Sequence, residues 1–168
     1  MKSAAPTKTN AARLLDSLGI SYELRSYEVD PEDLTALSVA RKIGLPPEQV
    51  FKTLLSHTST GEHLFAVIPG DAELDLKKLA QAAGAKKAEL ASLKEVEPLT
   101  GYIRGGVTVM GARKPFPAFA DETIELFDVI SVSAGQRGLQ VILSPADYLR
   151  ASQATLADLT KAHAGDAR

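Results

Sequence analysis

Apolar and polar positions change period several times along the chain, and each change marks an element. Asn10 stands where it would cap a short helix over residues 11–18, with Leu14, Leu15 and Leu18 as its apolar stripe and Gly19 as its stop. Residues 20–27 (Ile20-Ser21-Tyr22-Glu23-Leu24-Arg25-Ser26-Tyr27) alternate with period two, which predicts a half-buried strand broken by Asp30-Pro31. A helical period returns over residues 35–43. It places Leu37, Ala40 and Ile43 inward and ends at Gly44, ahead of Pro46-Pro47.

A strand over residues 50–55, a turn at 58–61 and a returning strand at 63–68 predict a hairpin, closed off by Pro69-Gly70. Residues 74–83 form an amphipathic pattern, with Leu76, Leu79, Ala80 and Ala83 inward and Gly84 as the stop. A short extended piece follows at 88–91, then a helical turn or two from Ser92 to a break at Pro98. Residues 102–107 predict a strand that runs into Gly105-Gly106, and 108–117 a loop. Strands at 129–133 and 139–143 are joined by the tight turn 134–138, and Ser144-Pro145 opens a last helix with Tyr148 and Leu149 inward. Strands and helices are intermingled and no repeat or linker interrupts them. The expectation is one mixed-sheet α+β or α/β domain over residues 9–160, between a flexible tail at 1–8 and a fraying tail at 161–168.

A chain of 168 residues, 45% hydrophobic and 24% charged, has the composition of a soluble globular domain. It has no cysteine, which excludes disulfides, thiolate–zinc sites and a cysteine nucleophile. No apolar run has signal-peptide or membrane-span length, so cytoplasm is the expected location. The formal charge of −2 argues against binding nucleic acid by electrostatics alone. Yet residues 77–114 hold eight Lys/Arg against three acids, a local excess of +5 that could meet a phosphate backbone or be a solvated face.

The chemistry narrows quickly. Gly106 to Gly111 has P-loop glycine spacing, but Ala112 and Arg113 occupy the positions that need Lys and Ser/Thr. No Gly-x-Ser-x-Gly elbow exists, and His57, His63 and His163 are too few and too badly spaced for a metal site, so no metal or cofactor is expected. What remains is Lys52, an ammonium on an apolar strand face shared with Val50 and Leu54. It reads either as an edge lysine reaching water or as a cation held for an anionic or carbonyl ligand. Gly105-Gly106 would let backbone N–H groups approach such a ligand or would simply form a bulge. Ser133 offers a hydroxyl at another strand end, for a ligand or for the turn beside it.

Taken in order, residues 49–55 (Gln49-Val50-Phe51-Lys52-Thr53-Leu54-Leu55), 74–80, 84–87, 100–107 and 132–139 closely resemble the YbaK/EbsC family of aminoacyl-tRNA deacylases. These proteins are kin to the editing domain inserted in bacterial prolyl-tRNA synthetases. The resemblance covers roughly residues 9–160. It implies a mixed, barrel-like sheet surrounded by helices with a pocket on one side. The implied activity is hydrolysis of the ester between a wrong amino acid and tRNA, first of all cysteine on proline tRNA, alongside prolyl-tRNA synthetase. Carried over by motif, Lys52 matches the essential lysine and Gly105-Gly106 the backbone contact to the aminoacyl group. Tyr27 matches a tyrosine after the first strand, Ser133 a pocket serine, and Gln140 the position of an aspartate in the cysteine-specific branch. Residues 34–37 and Val109 also depart from that branch, which puts the identity of the amino acid in question before the reaction class. Lys77, Lys78, Lys86, Lys87, Arg104, Arg113, Lys114 and Arg137 are the candidate tRNA contacts. A non-catalytic module binding tRNA or a synthetase, a deacylase of another aminoacyl-tRNA, and a hydrolase of a small acyl ester stay open as alternatives.

Overall fold

The structure, a computed structural model, describes residues 8–162. The expectations of a flexible tail at 1–8 and a fraying one at 161–168 fall outside these residues, except at three positions. Lys8 is paired with Asp16, the Lys161 N–H donates to the Glu73 carbonyl at 2.9 Å, and Ala162 ends the described chain.

In chain order the elements are α1 (Asn10–Ser17), β1 (Glu23–Ser26), α2 (Ala36–Ile43), β2 (Phe51–Thr58), β3 (His63–Pro69), α3 (Leu76–Ala83), β4 (Ala88–Leu90), α4 (Leu93–Thr100), β5 (Ala118–Asp121), β6 (Ile130–Ser133), β7 (Leu139–Leu143), α5 (Pro145–Ser152) and β8 (Thr155–Ala157). They form two sheets, β1-β7-β6 and β4-β2-β3-β5-β8. The first is antiparallel throughout. In the second, β2 pairs antiparallel with β3 and β4, while β3–β5 and β5–β8 are parallel, so the α/β mixture expected from the sequence is present. The sheets meet through one parallel bridge, Val50 to Ser131, and do not close into a barrel.

Strand β3 is central, and both its faces are buried. Val67 points into a core shared by Leu15 of α1, Phe51 of β2, Val132 of β6, Val141 of β7 and Tyr148 of α5, which binds the two sheets together. Leu64, Ala66 and Ile68 point the other way, onto Leu79 and Ala80 of α3. A smaller cluster sets Val39, Ala40 and Ile43 of α2 against Val50 and Ile142. This cluster brings α2 to the seam between the sheets.

Several local expectations are corrected. Thr9, not Asn10, caps α1, its hydroxyl accepting from the Ala12 N–H at 3.1 Å. The alternating stretch at 20–27 is strand only over 23–26, where β7 supplies a partner. Pro98 does not break α4, which runs on to Thr100. The proline lacks only the N–H that would have met the carbonyl of the exposed Lys94, and Arg113 secures the helix end by donating to the carbonyls of Pro98 (3.0 Å) and Thr100 (2.8 Å). Residues 102–107 are not a strand. Their polar groups are satisfied locally: the Tyr102 hydroxyl donates to the Met110 carbonyl (2.8 Å) and the Gly106 N–H to the Ile103 carbonyl (2.8 Å). Leu37, expected inward, is 46% exposed at the mouth of the cavity described next. Strands β5 and β8 carry no period-two signal and are absent from the sequence expectation.

Candidate active site

At the seam, between β2 on one side and β6 and β7 on the other, lies a cavity of about 430 Å³. The N-terminus of α2, Leu93 and Val96 of α4, and the loop carrying Arg104, Gly105 and Val107 complete its walls. A space of this size matches a small-ligand site, and its walls are largely apolar with few polar groups.

Those polar groups are mainly the ones singled out from the sequence. Lys52 reaches in from β2, and its Nζ donates to the Gly70 carbonyl oxygen at 3.3 Å. Burial pushes the Lys52 ammonium below its usual 10.5, partly offset by the carboxylates of Asp71 and Glu73. Gly70 itself is tightly enclosed: a Cβ there would lie 2.8 Å from both Ala36 Cβ and the Val50 carbonyl oxygen. Only glycine lets the end of β3 come this close to α2.

The glycine pair divides its work. Gly105 adopts φ +90°, lines the cavity, and donates its N–H to nothing among the described residues. Gly106 does not line the cavity and its N–H is already committed to Ile103. A Cβ on Gly106 would stand 2.9 Å from Gln136 Cα, so this glycine packs its loop on the turn at 134–138. Arg137 strengthens the same junction, its Nε donating to the Arg104 carbonyl at 2.7 Å.

Ser133 and Gln140 both line the cavity, directly opposite one another on β6 and β7. The Ser133 hydroxyl accepts from the Gly135 N–H at 3.2 Å, a turn-stabilising bond that leaves its own hydrogen free. The Gln140 Oε1 accepts from the Ser131 hydroxyl at 2.6 Å. Tyr27 does not line the cavity. It packs on the Val39–Ile43 cluster behind the wall, its N–H donating to the Gly138 carbonyl at 2.9 Å.

The basic candidates separate as well. Arg104 is exposed at the cavity mouth, whereas Arg113 and Arg137 are engaged with backbone carbonyls. Lys78 is held by Asp158 at 3.0 Å and by the Thr160 carbonyl, and Lys87 lies 3.7 Å from Glu89. Lys77, Lys86 and Lys114 are exposed and make no ion pair among the described residues. His63 is not simply solvated: it is stacked near Phe116 and its Nε2 is 3.0 Å from Glu95 Oε1, which ties the hairpin to the capping box of α4. A second cavity, of about 580 Å³, borders Asp71, Lys78, Asp158 and Lys161, and its two lysines are already paired with carboxylates.

Residues 34–37, Val50 and Leu54 were singled out by the sequence, but the Leu90 and Leu93 walls were not. Leu37, Leu90 and Leu93 are 46%, 52% and 66% exposed and all face this cavity. Leu93 stands just inside the Ser92 cap, where a large apolar side chain with no core partner was the available sign.

A two-sheet α/β chain with a cation, a free backbone N–H and two polar side chains around one small apolar cavity has the form of a small-ligand hydrolase or binding domain. The family model for the aminoacyl-tRNA editing domain matches residues 30–151, and the chain belongs to that family. It is 40% identical over 159 residues to an Enterococcus faecalis protein with the provisional name Cys-tRNA(Pro)/Cys-tRNA(Cys) deacylase EbsC, covering 95% of this chain and 97% of that one. It is 36% identical over 101 residues, 60% of each chain, to the Escherichia coli multifunctional Ser/Thr-tRNA deacylase ProXp-y. A crystal structure provisionally described as a trans-editing enzyme for prolyl tRNA synthetase superposes with a TM-score of 0.76 at 25% identity, covering 95% of this chain and all of that one.

Proposed function

We propose that this protein is a free-standing editing enzyme that hydrolyses the ester of a misacylated tRNA in the cavity at the sheet seam, with cysteine on proline tRNA the first substrate to test. The observation that carries this reading is that Lys52 and Gly105, whose N–H has no partner among the described residues, line one cavity of about 430 Å³. An aminoacyl ester is already activated, so positioning and stabilisation of the charge growing on its carbonyl oxygen supply most of the acceleration. Lys52 and Gly105 present donors suited to that oxygen.

A cysteinyl substrate brings its own nucleophile: its thiol loses a proton and attacks the ester carbonyl, and the tRNA ribose oxygen leaves and is protonated. For a substrate with no thiol, water or the neighbouring ribose hydroxyl attacks instead. Lys52 gives electrostatic help on either route and need not itself transfer a proton. Arg104 at the mouth, with Lys77, Lys86 and Lys114, would meet the tRNA backbone. Residues 9–160 form the working domain on this reading, and a modest affinity for tRNA makes prolyl-tRNA synthetase a natural delivering partner. The similarity to a Ser/Thr-tRNA deacylase adds seryl and threonyl esters to the candidates.

The test is release of amino acid from a panel of tRNAs charged with Cys, Ser, Thr and Ala, using wild type and Lys52→Ala. Release by wild type and its loss in a folded Lys52→Ala protein is the expected result. Release from none of the panel would point to a non-catalytic module, and unchanged release by Lys52→Ala would remove the lysine from the mechanism.

A further inference from the structure

Gln140 is 5% exposed and Ser133 9%, which makes them the most buried polar side chains on the cavity wall, whereas Arg104 is exposed at the mouth. The tRNA must stay outside a space of about 430 Å³, so an aminoacyl group enters side chain first and its end meets the buried wall. Which atom Gln140 shows there depends on a residue behind it. Ser131 lies on the same face of β6 two positions from Ser133, and is a diagonal neighbour of Gln140 across the β6–β7 pair. It is fully buried, and its hydroxyl donates to Gln140 Oε1 at 2.6 Å, its one side-chain hydrogen bond among the described residues. Turning the amide over would leave that buried hydroxyl hydrogen without an acceptor. Ser131 therefore selects one orientation, and Gln140 Nε2 is left with no hydrogen bond among the described residues. No Asp or Glu lines the cavity among the described residues, so no carboxylate on its wall competes for the Lys52 ammonium, the Gly105 N–H or Gln140 Nε2.

We propose that Ser131 is a positioning residue for substrate selection: it holds the Gln140 amide so that Nε2 meets the sulfur or oxygen at the end of the aminoacyl side chain. This rests on the deacylase reading above and assigns the preference within its candidates to one group: small side chains that end in a hydrogen-bond acceptor, cysteinyl and seryl, are favoured over alanyl. An N–H aimed at sulfur also favours the thiolate over the thiol, the form a self-attacking cysteinyl ester needs.

The experiment is single-turnover release from one tRNA(Pro) preparation charged separately with Cys, Ser and Ala, by wild type, Ser131→Ala, Ser131→Thr and Gln140→Met. Wild type should release Cys and Ser faster than Ala. Ser131→Ala and Gln140→Met should slow Cys and Ser release by roughly tenfold while changing Ala release by less than about twofold. Ser131→Thr keeps the hydroxyl and should keep the preference. Should Ser131→Ala fail to fold, Gln140→Met and Ser131→Thr carry the comparison. A purely structural role would slow all three substrates alike, and that result, or an unchanged preference in Gln140→Met, overturns the proposal while leaving deacylation standing. Release of nothing by wild type overturns the deacylase reading, and this proposal with it.

Discussion

The Lys52 ammonium stands 3.3 Å from the Gly70 carbonyl oxygen and makes no ion pair among the described residues. A cation on a strand between two sheets, held by a single carbonyl, is a costly arrangement for stability. Its cost is reasonable when a ligand completes the coordination. Burial also lowers its pKa, and this gives the arrangement a measurable sign.

Lys52→Met should abolish deacylation, by roughly 10²–10³-fold or more if the amine stabilises the oxyanion, without lowering the melting temperature at pH 7. The folded-state pKa lies below the 10.5 of the unfolded chain, with desolvation the leading cause. Between those two values the unfolded chain holds a proton that the folded one does not, so wild-type stability rises as pH climbs through that window. Below it the buried charge weighs against the fold at full strength. Thermal melts of both proteins from pH 7 to pH 10.5 check this: the alkaline rise should be missing in Lys52→Met. A lower melting temperature for Lys52→Met at pH 7 would mean the ammonium is a net stabiliser.

Glu95 carries the opposite sign. It accepts from His63, and from the backbone and hydroxyl of Ser92, and these bonds hold its carboxyl down at about 2. Stability from this group is fully present above the ordinary 4.5 and is lost as pH falls from there through about 2. Glu95→Gln should therefore flatten that part of the acid unfolding curve. It should also loosen α4, whose Leu93 and Val96 face the cavity, so KM for the aminoacyl ester should rise while kcat changes little. Unchanged acid unfolding would show that the capping box and the His63 bond contribute nothing.

How much of this was legible beforehand depended on how local the cause was. The caps at Thr35 and Asp75 and the αL stops at Gly44 and Gly84 are decided within a few residues of chain, and the helices fall close to where the pattern puts them. Lys52, Gly105 and Ser133 were legible as members of ordered motifs and Gln140 as a departure just past one, although nothing local says that they share a cavity. Strands β5 and β8 were not legible: Ala118-Phe119-Ala120-Asp121 and Thr155-Leu156-Ala157 are strand only because β3 offers an edge to the first and the first offers an edge to the second. Tyr102-Ile103 has strand propensity, but Thr100 and Met110 capture its polar groups first. The Ser131–Gln140 bond needs the β6–β7 register, which the tight turn suggests but does not number.

Gly106→Ala tests the division of labour within the glycine pair. Its Cβ would meet Gln136 Cα at 2.9 Å and the Gln136 carbonyl carbon at 3.0 Å, backbone atoms that cannot rotate away. The substitution should destabilise the protein by about 1–3 kcal/mol and spread the loop from the 134–138 turn. At Gly105 the added Cβ meets mainly the flexible Arg137 side chain at 3.3 Å, but φ +90° is unfavourable for alanine. Gly105→Ala should thus reduce turnover more than its loss of stability explains, and Gly106→Ala the reverse. Parallel melts and single-turnover rates separate them, and equal behaviour of the two variants would count against separate roles.

The charge excess between Lys77 and Lys114 is smaller in practice than in the count, because several of its members are engaged within the protein. Lys78 is bound to Asp158, Lys87 is near Glu89, and Arg113 closes α4. If the remaining exposed cations meet tRNA, reversing one of Lys77, Lys86 or Lys114 to Glu should raise KM for aminoacyl-tRNA with kcat little changed. It should also make the dependence of log(kcat/KM) on log[salt] shallower than in wild type. Arg113→Glu should behave differently, lowering the melting temperature by taking the side-chain donor from the Pro98 carbonyl and setting an acid beside a helix C-terminus. Rates measured on a charged tRNA and on a short aminoacyl ester with no tRNA body make the assignment sharp: a tRNA-contact variant loses only the first. If all three lysine reversals leave both the KM and the salt slope at wild-type values, these lysines carry no tRNA and the substrate approaches over the Arg104 side of the cavity mouth.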